Sequence, residues 1–376
     1  MKSVRNIKKL ENVTVLLRTS LNAPVDKGVV VDAFRLDAAL PTIEYLQSRN
    51  ARVVLVSHIS GTGTETLRPM YEALRSRISR LSFCEYSIGP IARETIRRMV
   101  PGEVVMLENL RRHKGEEGND SAFAKELAEL ADVFVQDSFD VCHRSHASVV
   151  GLPTLLPSYA GLTVLKEVEE LTKARRPKHP ALAVIGGAKF STKEPLLKQL
   201  LKTYDRVFVA GALANDFIKA KGYSVGRSLV SDAGQEQILE LLKNKRLVVP
   251  VDATVAPFGE HREKARVTGL KDIKENEAIY DVGPHTSSAL MELALKSKTV
   301  LWSGPLGLFE HGFIDGTRVL AHAVAGHTHS IVGGGDTISA LDELNVTSEF
   351  SFVSTGGGAM LDFLADGTLV GLQALK

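Results

Sequence analysis

The chain has only two cysteines, Cys84 and Cys142, in 376 residues. That is far too few for a disulfide scaffold and makes no metal-ligating pattern, so a reducing, cytoplasmic setting is expected. Long apolar runs are missing as well. The charged start Met1-Lys2-Ser3-Val4-Arg5-Asn6-Ile7-Lys8-Lys9 has no apolar stretch behind it, so neither a secretory leader nor a membrane association is expected. Charge of one sign is not in excess. A net charge of +2 argues against a protein that coats nucleic acid, while leaving room for a local basic pocket. Two nucleotide fingerprints are also absent. There is no G-x-x-x-x-G-K-[ST] loop and no G-x-G-x-x-G turn, which counts against a nicotinamide dehydrogenase.

What is present is a regular alternation. Val13-Val15-Leu16-Leu17, Val53 to Val56, Val104 to Leu107 and Val133 to Val135 read as buried strands in the first half. Leu182 to Ile185, Val207 to Val209, Leu247 to Val249, Thr299 to Trp302 and Ile331-Val332 repeat the style in the second. Helical patterns such as 38–46 and 123–130 lie between them. Continuous apolar strands separated by helices predict parallel sheets covered on both faces. The length exceeds one ordinary core. The expectation is therefore α/β, with two doubly wound, Rossmann-like parallel-sheet domains covering 1–160 and 161–357. A helix at about 161–173 joins them as a hinge and ends in the basic run Lys173 to Lys178, which reads as a solvated helix end.

Glycine turns follow several of the strands. In Ser330-Ile331-Val332-Gly333-Gly334-Gly335-Asp336-Thr337 a plain strand-to-helix turn would need one glycine. Three let the backbone approach a phosphate, at a helix N-terminus expected near Thr337. Asp336 stands where a carboxylate could hold Mg²⁺ against that phosphate. Ile185-Gly186-Gly187-Ala188-Lys189-Phe190-Ser191-Thr192-Lys193 is a second such turn. A helix starting near Ser191 puts Lys193 in its first turn, where it opposes the helix dipole unless an anion binds there. Trp302 to Glu310 and Ser354 to Ala359 supply two more glycine clusters. Turns of this kind at one sheet edge are what a nucleotide cleft requires.

The first half instead carries cations at its strand ends: Arg18, Arg35, His58, Arg111, Arg112, His143, Arg144 and His146. Converging at one edge, they would make a basic pocket for a small, multiply anionic substrate. His143-Arg144-Ser145-His146 sets a guanidinium between two imidazoles, which disfavours a metal there.

Taken together, Asn22-Ala23-Pro24, Asp32 to Arg35, Ala39 to Ile43, Ser57-His58, Glu108 to Arg111, His143 to Ser148, Gly186 to Lys189, Gly333 to Thr337 and Ser354 to Ala359 resemble the phosphoglycerate kinase family across essentially the whole chain. The resemblance implies a glycolytic, Mg²⁺-dependent, hinge-bending and monomeric kinase. Its substrates would be 3-phosphoglycerate and ATP or ADP. Asn22, Arg35, His58, Arg111 and Arg144 would bind phosphoglycerate, with Ser20, Ser60 and Gly61 at the same site. Lys193, Glu310 and Gly333, Gly334, Gly335, Asp336 and Thr337 would bind Mg-nucleotide, with Asp336 toward the metal. Arg35, Lys189 and Lys193 would surround the transferring phosphoryl group. A last segment, about 358–376, would pack back on the N-terminal domain.

Four places depart from the family pattern. Ser20 stands where an Asp that contacts the substrate hydroxyl is usual; a serine forgoes charge assistance worth about 1–2 kcal/mol. His58-Ile59-Ser60-Gly61-Thr62 replaces His-Leu-Gly-Arg-Pro, so an arginine is missing at Gly61, with Arg68 or Arg112 as candidate replacements. Ser303 stands for Asn, and Ala210-Gly211-Ala212 for three glycines. The transfer residues remain, which favours an active, divergent kinase. The competing readings are a nucleotide-binding pseudoenzyme, a kinase for another small phosphorylated acid and, at the level of fold alone, a dehydrogenase.

Overall fold

Thr14-Val15-Leu16-Leu17-Arg18-Thr19 is buried at every position, and Ala181 to Ile185 likewise. Strands covered on both faces have no solvated side, so apolar residues run on without alternating. Each fully buried Val, Leu or Ile contributes about 1.5–3 kcal/mol, which fixes these strands and the loops that leave them. The computed structural model describes residues 1–59, 63–231, 234–326 and 329–375. The chain forms two compact units, Met1–Glu169 with the segment from Thr368 onward, and Glu170–Gly367.

The first unit contains β1 (Thr14–Thr19), a short hairpin of β2 (Val25–Asp26) and β3 (Val29–Val30), then β4 (Arg52–Val56), β5 (Leu81–Cys84), β6 (Val104–Leu107), β7 (Val133–Asp137) and β8 (Ser158–Ala160). Six of these form one sheet in the order β5-β6-β4-β1-β7-β8, parallel at every pairing. In the second unit come β9 (Ala181–Ile185), β10 (Arg206–Val209), β11 (Leu247–Val248), β12 (Asp252–Pro257), β13 (Arg266–Gly269), β14 (Glu277–Val282), β15 (Thr299–Ser303), β16 (His329–Gly333) and β17 (Phe352–Ser354). Their main sheet runs β11-β10-β9-β15-β16-β17, again parallel throughout. An antiparallel sheet, β13-β12-β14, accompanies it. The apolar-run reading did not anticipate that sheet, because its strands mix polar and apolar residues.

Both six-stranded sheets reverse direction in the same way. From β1 the chain winds outward through β4, whereas from β7 it winds the other way to β8. In the second unit β9 leads to β10 and β15 to β16 on the opposite side. The reversals fall between β1 and β7 and between β9 and β15. Loops at the carboxyl ends of such strand pairs splay apart and leave a crevice.

Helix Leu162–Arg175 carries the chain from the first unit into the second, with the boundary inside it at Glu169/Glu170. Helix Gly358–Asp366 stays with the second unit and packs on helix Phe190–Thr203. The return to the first unit therefore starts at Thr368 rather than at 358. It brings helix Val370–Ala374 back, with Gly371 N donating to Cys142 O at 2.8 Å.

Candidate active site

In the first unit β1 and β7 are adjacent with Thr19 opposite Asp137, so the residues that follow them lie side by side at the crevice. Arg18, the last residue but one of β1, is fully buried. A buried guanidinium is tolerable only when its donors are satisfied. Here Nε donates to Ser148 Oγ at 3.0 Å, Nη1 to Thr19 O at 2.8 Å and Nη2 to His58 Nδ1 at 3.0 Å. Ser148 Oγ in turn donates to buried Glu116 at 2.6 Å, and Ser148 N does so at 3.0 Å. Arginine has no acceptor, so His58 Nδ1 must accept and its proton resides on Nε2. Burial holds His58 well below the ordinary imidazole value, and Arg18, Arg111, Arg144 and Arg35 each lower it further. Four guanidiniums thus act on one neutral imidazole.

All four were expected among the strand-end cations, and the other three are held in different ways. Helix Phe34–Ser48 begins four residues before the expected 38, because Asp32 Oδ1 accepts from Phe34 N at 2.8 Å and starts it. Arg35 therefore lies in its first turn, with Nη1 on Asn22 O at 2.7 Å. Arg111 follows β6 and pairs with Glu117 at 3.1 Å; burial above all lowers its pKa. Arg144 is exposed. Ser20 Oγ donates to Asp140 Oδ2 at 2.9 Å. Ser60 and Gly61 lie outside the described residues. Neither candidate for the missing arginine joins the cluster. Arg68 pairs with Glu85 at 2.7 Å and Arg112 with Glu108 at 3.0 Å, lining a separate polar cavity with Tyr86.

In the second unit β15 lies beside β9, with Ser303 opposite Ile185. The turns that leave them touch backbone to backbone. Gly186 N donates to Ser303 O at 2.6 Å, and a Cβ at Gly304 (φ +100°) would come within 2.5 Å of Gly186 Cα. Only glycine fits both the conformation and the space. Helix Phe190–Thr203 starts one residue before the expected Ser191. Lys193 folds back over Gly187, where an added Cβ would meet its Cε at 3.0 Å. Burial lowers the Lys193 ammonium and Asp362 partly offsets that. Lys189 caps the same helix and is exposed.

The third turn differs in detail from its expectation. Its helix is Gly335–Glu343, two residues earlier than Thr337. Gly334 takes φ +101° and Gly335 has open space around it. Gly333 is enclosed instead, since a Cβ there would run into Met360 Sδ. Thr337 is fully buried, and its Oγ1 accepts from Gly304 N at 2.7 Å. These two residues support the turn rather than line it.

A cavity of about 370 Å³ opens beside these turns, lined by Gly187, Gly211, Asn215, Leu306, Glu310 and Asp336 among others. In its wall Asp281 accepts from Gly316 N at 3.0 Å and Val282 N at 2.8 Å, and burial pushes its carboxyl up to about 7. Among the described residues no group of three or more His, Cys, Asp or Glu forms a ready metal cage. Mg²⁺ does not need one, because it takes one or two carboxylates together with water and substrate phosphates. Exposed Asp336, in the first turn of its helix at the cavity, fits that requirement.

Sequence reasoning places Arg18 among the cations of the basic pocket but does not single it out as a substrate-binding residue. It did not foresee Glu116, Ser148 or Asp140. Ser148 stood inside a matched block, whereas a glutamate in a polar run carries no signal that it will be buried.

A cation-bearing crevice in one parallel-sheet unit and, in the other, a glycine-walled cavity with Lys193 folded over one of its glycines are the parts an α/β phosphotransferase needs. The family profile described as phosphoglycerate kinase matches residues 4–367. The chain is 39% identical to a phosphoglycerate kinase of Xanthobacter flavus, over 96% of each sequence. It is 40% identical to that of Moorella thermoacetica, over 98% of this chain and 97% of the relative. Among solved structures, phosphoglycerate kinase from Coxiella burnetii superposes with a TM-score of 0.85 at 38% identity, covering 99% and 98% of the two chains. The enzyme from Pyrococcus horikoshii OT3 gives 0.89 at 30%, covering 100% and 98%. The chain belongs to the phosphoglycerate kinase family.

Proposed function

We propose that the protein transfers a phosphoryl group reversibly between 1,3-bisphosphoglycerate with ADP and 3-phosphoglycerate with ATP, as a monomer in the cytoplasm. The observation that carries this reading is the gathering of Arg35, Arg111 and Arg144 with buried Arg18 around His58, a site suited to a small polyanion. No general base is required, because the acceptor carboxylate is already ionised at neutral pH. The reaction needs in-line positioning and cations around the moving group. In this reading Asn22, His58, Arg111 and Arg144 hold phosphoglycerate, with Ser20, Ser60 and Gly61 bordering it. Arg35, Lys189 and Lys193 neutralise the group in transit, while Glu310 and Gly334 to Asp336 seat the nucleotide on a turn that Gly333 and Thr337 support. Mg²⁺ bound with the nucleotide would screen its phosphate charge, and Asp336 would hold it.

The basic crevice and the nucleotide cavity belong to separate units, and neither alone contains all the groups that transfer needs. Closure about the helix Leu162–Arg175 would assemble them and exclude water, limiting wasteful ATP hydrolysis. The test is steady-state phosphorylation of 3-phosphoglycerate by Mg-ATP, read through NADH oxidation by a coupled acyl-phosphate reductase. Turnover that Lys193→Ala lowers about 100-fold or more supports the proposal. ATP binding without turnover would favour a pseudoenzyme or another acid substrate.

A further inference from the structure

We infer that Asp140 is the residue by which this site recognises the hydroxyl group of its substrate. This rests on the proposed function. Asp140 sits in the short turn Phe139–Val141 directly after β7, and Ser20 directly follows β1. The Thr19–Asp137 register brings both loops to the point where the sheet reverses. Two hydroxyls fix the carboxylate: Ser138 Oγ donates to Oδ1 at 2.5 Å and Ser20 Oγ to Oδ2 at 2.9 Å. Its field reaches the cluster, since it stabilises the charges of both Arg18 and Arg111.

A carboxylate is an odd component of a site for a polyanion. It cancels part of the attraction from the arginines and repels any phosphate or carboxylate that approaches it. It can only accept hydrogen bonds, and with about four lone-pair directions it retains acceptor capacity beyond the two serines. Asp140 is partly exposed, so that capacity is open to a ligand. On a small phosphorylated hydroxy acid the hydroxyl is the one donor available to meet it. The position of Ser20 supports this assignment. Its hydroxyl is spent on Asp140, so Ser20 orients the carboxylate instead of acting as the charged acceptor itself. The negative charge that the family pattern places at residue 20 has an equivalent one turn beyond the neighbouring strand.

The experiment compares 3-phosphoglycerate with 3-(phosphonooxy)propionate, the same molecule without its hydroxyl, by kcat/KM and by calorimetric binding. The native protein is expected to prefer the hydroxylated compound about 10- to 100-fold, the range of one charge-assisted hydrogen bond. Asp140→Ala is expected to shrink that preference to within about threefold, because the 3-phosphoglycerate values lose the hydrogen bond while those of the deoxy compound hold level or rise as the carboxylate's repulsion is removed. Asp140→Asn, which keeps the shape, should fall between and carries the test if the alanine variant does not fold. An unchanged preference, or an equal loss for both compounds, would overturn the assignment. Calorimetry separates this claim from the proposed function, because preferential binding without phosphoryl transfer counts against the function and not against Asp140.

Discussion

Arg18 Nη2 donates to His58 Nδ1 at 3.0 Å, and both side chains are buried, with no more than 3% of His58 exposed. A guanidinium cannot accept a hydrogen bond, so this contact exists only with neutral histidine. Protonating His58 would set two buried cations against each other, beside three further guanidiniums.

The first prediction concerns pH. The folded-state pKa of His58 is depressed well below 6.5. Above pH 6.5 neither folded nor unfolded chain binds this proton, and the contribution to stability is complete. As pH falls below 6.5 the unfolded chain takes up a proton that the folded one refuses, costing about 1.4 kcal/mol per pH unit. His58→Asn keeps an acceptor for Arg18 without the titration. Urea unfolding at pH 7.5 and 5.5 should therefore show native stability declining by about 1.4 kcal/mol more than that of the variant. Equal declines would mean that His58 titrates normally.

The enclosed Gly333 yields a packing prediction. Gly333→Ala should destabilise the protein by about 1–3 kcal/mol through its collision with Met360. Made in a Met360→Ala background the same change should cost less, with only the 3.2 Å approach to Ser354 Cβ remaining. A double-mutant cycle should thus give a coupling energy of about 1 kcal/mol or more. Additive costs would show that the turn, rather than the Met360 contact, demands glycine at that position.

How far the sequence revealed all this depends on the residue. Strands such as Val104–Leu107 were legible because continuous apolar runs have one structural explanation in a protein of this composition. The glycine clusters and strand-end cations were legible by position, since parallel topology brings strand ends to one edge. Which glycine lines the turn and which supports it was not legible. That depends on Met360 and Gly304, distant in sequence from the turn. The burial of Glu116 and the Ser20–Asp140 contact were hidden for the same reason. A polar side chain looks alike in sequence whether it meets water or a buried partner.

Asp336 provides the metal prediction. Asp336→Asn should raise the Mg²⁺ concentration for half-maximal rate about tenfold, the scale of disturbing one oxygen partner at a metal site. The KM for 3-phosphoglycerate should stay within about twofold, because the substitution leaves the arginine cluster untouched. A changed phosphoglycerate KM with unchanged Mg²⁺ dependence would remove Asp336 from the metal.

The most direct measurement is a single turnover. Enzyme in excess is mixed with [γ-³²P]ATP, Mg²⁺ and 3-phosphoglycerate, the reaction is stopped rapidly, and labelled acyl phosphate is separated from ATP and inorganic phosphate. Label should move from ATP to phosphoglycerate in the native protein and about 100-fold more slowly in Lys193→Ala. It should not move to water when phosphoglycerate is omitted. Bound ATP whose label never reaches phosphoglycerate, or reaches it equally fast without Lys193, would contradict the account.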